Sequence, residues 1–160
     1  MRREPALLRA RAVALLAAPA VGLLLASTAS AGPSTDYILN CRGCHRPDGS
    51  GVAGGAPSFR RQLAKFLWVP GGREYLVRVP GTAQSELSDA RVAALLNWML
   101  RDFSAETLPR DFVPFTEQEV TRDRRLPLSD VEAVRRQLVG EIEGREAAHA
   151  GPALLSQPPR

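Results

Sequence analysis

The clearest periodicity in the chain runs from Asp89 to about Phe103, where Val92, Leu95, Leu96, Met99 and Phe103 recur at three- and four-residue intervals. That spacing lines up one apolar face of a helix, and Ser88 stands where an N-cap belongs. A second, narrower stripe of Val131, Val134, Leu138 and Ile142 predicts a helix from Asp130 to about Glu146, capped by Ser129. Before it, Thr116-Glu117-Gln118-Glu119 has the spacing of a capping box for a short helix near Glu117 to Asp123. Ser34 or Thr35 can cap another short helix running towards Cys41. The most aromatic stretch, Leu63 to Pro80, contains Phe66, Trp68 and Tyr75 around the turn Pro70-Gly71-Gly72; its part from Arg73 to Val79 reads equally as a short helix or as extended chain. Residues 46–58 are rich in turn formers. These elements predict an all-α fold.

The first residues follow another logic. Arg2, Arg3, Arg9 and Arg11 precede an uncharged stretch from Ala12 to Ala31 that closes with Ala29-Ser30-Ala31. A basic start, an apolar middle and a small-x-small close are the three parts of a secretory signal peptide. The competing reading is a retained anchor, since about twenty uncharged residues suffice to span a bilayer. Pro19, Gly22 and the small polar residues Ser27, Thr28 and Ser30 weaken such a span, so cleavage after Ala31 and export to the periplasm are expected, with membrane attachment only if the segment is uncleaved.

The composition adds little until that segment is set aside. The net charge of +4 derives mostly from its arginines, and the rest of the chain is nearly neutral. No clustered basic face argues for nucleic acid. Aromatic residues make up only 6% of a chain that is 44% hydrophobic, a thin supply of large rings that a bulky prosthetic group would complement. Of the 21 basic residues only Lys65 is a lysine.

The two cysteines sharpen the picture, because both belong to Cys41-Arg42-Gly43-Cys44-His45. Paired thiols followed at once by a histidine form the c-type haem attachment pattern. Thiols three positions apart on a helical turn can each add to one vinyl group of a porphyrin edge. His45 would then stand beneath the ring as proximal iron ligand. Three other readings compete. A disulfide across two intervening residues closes too small a loop to staple a fold. A thioredoxin-like pair belongs in a strand–helix context that the flanking residues do not supply. A zinc site needs four ligands, and the only other histidine is His149, in a polar tail.

Beyond the pentapeptide, the chain resembles the small mono-haem cytochromes c of class I. Tyr37 lies four residues before Cys41, where that family commonly has an aromatic or large apolar residue. Arg46-Pro47-Asp48-Gly49-Ser50-Gly51 and Gly54-Gly55-Ala56-Pro57 are similar to its glycine-rich loop. The resemblance implies one covalent haem c and a role for Pro57, whose carbonyl would accept a hydrogen bond from the proximal imidazole and make it more basic. It further implies a final helix across the first, with Trp98 as its aromatic. The haem domain would span residues 32–104, behind a signal peptide at 1–31. A helical extension over 105–150 and a disordered tail over 151–160 are not covered by the resemblance.

The pattern breaks at the sixth iron ligand. The family usually takes it from a methionine shortly before the last helix, but Pro80 to Leu87 contains none, and Met99 inside the helix is the only methionine besides Met1. Four sources compete: Met99, His149, Lys65 after losing its proton, and an iron with no distal ligand from the protein. The last is preferred to Met99, whose place on an apolar face suits core packing.

The function expected is single-electron transfer, as a soluble carrier or as the haem subunit of a dehydrogenase or oxidase system, with protein redox donors and acceptors. Trp68, Arg73 and Tyr75 are candidates for contacting haem propionates, because their N–H and O–H groups donate to carboxylates. The alternative is a haem protein that binds or senses a small ligand at an open distal side. Enzymatic catalysis is not expected, because the loop offers Gln84 and Glu86 but no distal histidine.

Overall fold

The computed structural model describes residues 32–150; the expected signal segment and C-terminal tail lie outside them. Among the described residues the regular structure is entirely helical: α1 (Pro33–Asn40), α2 (Arg42–His45), α3 (Gly72–Arg78), α4 (Pro80–Ala83), α5 (Asp89–Phe103), α6 (Glu117–Arg124) and α7 (Val131–Ala150). Two 3₁₀ turns, Leu63–Trp68 and Ala105–Thr107, complete it. No helix among these residues is long and apolar enough to cross a membrane.

α5 is the central element. Its apolar stripe buries Val92, Leu95, Leu96, Met99 and Leu100, and the Ser88 hydroxyl accepts from the Arg91 N–H at its start. α1 lies against one side of it. Tyr37, 1% exposed, packs its ring on Trp98 and Phe103, with centroids 5.7 and 4.9 Å away. One helical position earlier, the buried carboxylate of Asp36 accepts on its two oxygens from Nε and Nη2 of Arg91 from α5. A buried carboxylate is tolerable only when paired in this way, so the contact that seals α1 to α5 also fixes their register. The α1 cap differs from the sequence expectation: the helix begins at Pro33 behind Gly32, without a side-chain cap from Ser34 or Thr35. Proline is pre-shaped for a first helical turn and needs no N–H partner there, which moves the start before both candidates.

The stretch that sequence left undecided is helical: α3 follows the 3₁₀ turn so closely that a Cβ on Gly72 would lie 1.9 Å from the Phe66 carbonyl oxygen. Phe66 and Tyr75 then stack, with ring centroids 5.0 Å apart.

The segment after α5 packs back against α5 and α3 rather than standing apart. Asn97 on α5 exchanges two hydrogen bonds with the backbone of Phe115, at 2.9 and 2.7 Å. Phe115 and the fully buried Val120 of α6 join the same core as Leu96 and Leu100. The Thr116 hydroxyl caps α6 as expected, but Glu119 does not complete the capping box, since its carboxylate pairs with Arg73 of α3. α7 buries only Leu138 and Ile142, so its docking rests on a narrow stripe worth about 1.5–3 kcal/mol per side chain. Lys65 to Glu146, at 2.7 Å, and Arg145 to the Trp68 carbonyl add polar ties. The cap of α7 is Asp130 rather than Ser129: its Oδ1 accepts from the Ala133 N–H at 2.8 Å.

Candidate haem-attachment site

The paired cysteines sit where α1 gives way to α2. Cys41 accepts the end of one helix and starts the next, its N–H donating to Tyr37 and its carbonyl accepting from Cys44 and His45. Both thiols are free, Cys41 half-buried and Cys44 exposed. Burial and the neighbouring Asp36 carboxylate push the Cys41 thiol up to about 11. A thiol protonated at neutral pH lacks the lowered pKa that marks disulfide-exchange nucleophiles.

His45 follows directly, half-buried, with its ring stacked on Phe59 at a centroid distance of 3.9 Å. Its Nδ1 stands 2.9 Å from the carbonyl oxygen of Pro57. A carbonyl can only accept, so Nδ1 carries the proton and the neutral ring keeps its lone pair on Nε2. Burial lowers the imidazole pKa below its ordinary value, against the opposing pull of the Pro57 bond. The neutral ring with a free Nε2 is the form that binds a metal.

The loop that returns Pro57 to His45 is built on glycine geometry. Gly51 has φ +70°, and a Cβ there would stand 2.5 Å from the Ala56 carbonyl oxygen and 2.6 Å from the Pro57 carbonyl carbon. The Gly51 N–H donates back to the His45 carbonyl, and Val52 N–H closes on Ala56. Phe59 then anchors the loop's end, its N–H on the Gly49 carbonyl and its ring near Phe103 and Tyr37. Gly51 lies in the glycine-rich loop that the sequence marks, whereas Phe59 was not singled out; an aromatic two positions after Pro57 was the only available signal for it.

This donor set fits haem c: two thiols one helical turn apart and an imidazole fixed in the metal-binding tautomer, with the exposed apolar Ile38 and Leu39 on the helix that leads into them. Among the described residues no cluster of His, Cys, Asp and Glu suits a simple metal ion.

The other candidates are engaged elsewhere. Met99 is 4% exposed, packed in the core on α5. Lys65 is ion-paired with Glu146, and His149 Nδ1 meets the Arg145 carbonyl of its own helix. Trp68 Nε1 donates to the Thr107 carbonyl. Arg73 binds both oxygens of Glu119 and the Val113 carbonyl, with its guanidinium 4.0 Å from the centre of the Phe115 ring. Tyr75 is buried against Phe66, and burial raises its hydroxyl pKa with Arg135 opposing. The structure therefore brings together Cys41, Cys44, His45 and Pro57 and gives the donors of Trp68 and Arg73 partners within the protein. Long-range partners such as Glu119 carry no signature in the local sequence.

No protein-family model matches the chain. It is similar to cytochrome c-552 of Thermus thermophilus, 31% identical over 118 residues, covering 61% of this chain and 90% of that protein. A second cytochrome c-552, from a named strain of the same organism, is equally similar and is covered over 80% of its length. With its all-helical architecture, this chain belongs to the class I-like mono-haem cytochromes c, which transfer electrons and are not enzymes.

Proposed function

We propose that the chain is an exported, periplasmic electron carrier holding one haem c through thioethers to Cys41 and Cys44, with His45 Nε2 as proximal iron ligand. The observation that supports this most is the Nδ1–H of His45 donated to Pro57, which leaves Nε2 free next to two unpaired thiols. Haem c, when bound, supplies a one-electron iron couple. Each thiol would add its sulfur and hydrogen across one vinyl group. Pro57 fixes the imidazole's orientation and raises its basicity, while Phe59 shields one ring face. Cys44 and the exposed Ile38 and Leu39 make this the face on which a redox donor or acceptor would dock, whether the protein is a free carrier or the haem subunit of a dehydrogenase or oxidase system.

A second reading concerns the distal side. Met99 is enclosed in the core and Lys65 is held by Glu146, while Pro80 to Leu87 contains no methionine. These facts favour a distal side without a protein ligand, open to water or a small molecule. Expression with haem-attachment machinery, followed by a pyridine haemochrome assay and carbon monoxide addition, tests both. Covalent haem supports the first reading, and rapid carbon monoxide binding to the reduced protein supports the second.

A further inference from the structure

Directly after His45 the backbone takes a conformation that the side chain present there disfavours. Arg46 has φ 63° and ψ 160°, a region populated essentially by glycine and costing other residues about 1–3 kcal/mol. This peptide is held from two sides. The Tyr37 hydroxyl donates to the Arg46 carbonyl oxygen at 2.6 Å, and the Gly49 N–H reaches the same oxygen at 3.2 Å. Tyr37 is 1% exposed, and its ring is fixed between Trp98 and Phe103 of α5. Burial pushes its hydroxyl up to about 12, so it remains a donor across the physiological range. The Arg46 turn starts the loop that carries the Gly51 N–H back to the His45 carbonyl and the Pro57 carbonyl back to Nδ1.

We propose that Tyr37 is a positioning residue for His45: its buried hydroxyl holds the strained Arg46 peptide, and through it the direction of the imidazole and its bond to Pro57. This rests on the reading of His45 as the proximal ligand. Core packing alone would require only the ring, which phenylalanine supplies equally. The hydroxyl is what reaches the backbone after the ligand.

The test uses haem-loaded wild type, Tyr37→Phe, Arg46→Gly and the double variant, compared by denaturant unfolding and by reduction potential. Glycine at 46 removes the strain that the hydroxyl opposes. Tyr37→Phe should lower the folding equilibrium constant roughly five- to tenfold, the scale of one buried hydrogen bond lost while the Gly49 N–H still serves the acceptor, and should shift the potential. In the Arg46→Gly background the same change should cost markedly less, and the potential should return towards that of wild type. If Tyr37→Phe fails to accumulate with haem, rescue by Arg46→Gly supports the proposal and failure of rescue overturns it. Equal losses in both backgrounds with an unmoved potential would reduce Tyr37 to ordinary core. A haem-loaded wild type with that result overturns the role of Tyr37 alone, whereas a haem-free wild type overturns the ligand reading as well.

Discussion

His45 Nδ1 and the carbonyl oxygen of Pro57 meet at 2.9 Å across twelve residues of chain, and the loop between them closes only because Gly51 has no side chain. A methyl group there would strike the peptide that presents the acceptor. The His45 imidazole is thus aimed by the backbone path of the loop rather than by a neighbouring acidic side chain.

Gly51→Ala should therefore cost more than a positive φ alone. The left-handed backbone contributes about 1–2 kcal/mol, and the collision with Ala56 and Pro57 adds to it. Gly54→Ala is the control, with φ +71° but nothing within 4 Å of the place its methyl group would take. Thermal unfolding should rank Gly51→Ala well below Gly54→Ala, with a lower haem yield. Equal losses would mean that the loop does not depend on this close approach.

Arg73→Lys separates two roles for that residue. Its guanidinium forks onto Glu119, reaches the Val113 carbonyl and lies over Phe115, a geometry that an ammonium cannot reproduce. A loss of about 1–2 kcal/mol is expected, with faster proteolysis in residues 105–150 and an unchanged reduction potential. A shifted potential with unchanged stability would instead return Arg73 to the haem propionates.

Asp89 gives the acid limb of the stability profile. Hydrogen bonds from Thr121 and Arg124 hold its carboxyl below the usual aspartate value. A group with a depressed folded pKa stabilises above its unfolded value, and this contribution is lost as pH falls through the folded one. Asp89→Asn should be less stable than wild type at neutral pH, and the difference should close as pH drops below about 3.9, the ordinary aspartate value. A constant difference down to the most acid condition would contradict this, as measured by denaturant melts across pH.

Much of this architecture was legible because the strongest signals were local. Val92, Leu95, Leu96 and Met99 mark α5 by period, while Ser88 and Thr116 mark starts by cap chemistry, and both caps stand where the pattern put them. The misreadings arose where neighbouring residues had similar propensity. Ser129 and Asp130 are both good caps, and only the carboxylate of Asp130 reaches Ala133. At the start of α1, Pro33 pre-empted both hydroxyl candidates. Arg73 to Val79 was undecided because its helix is set by the preceding 3₁₀ turn packing on Gly72. At the site, the Cys41-Arg42-Gly43-Cys44-His45 pattern was visible at once. The stacking of Phe59 on His45 and the reach of Tyr37 to Arg46 depend on how the chain returns on itself, which no short window encodes.

The most direct test of the central claim is the absorption spectrum and pyridine haemochrome of the purified protein, made in a host that matures a control cytochrome c. The expected result is one covalent c-type haem per chain, lost in Cys41→Ala/Cys44→Ala, and a ferric spectrum without the signature of Met–iron bonding. A colourless wild-type protein from that host would contradict the account at its root.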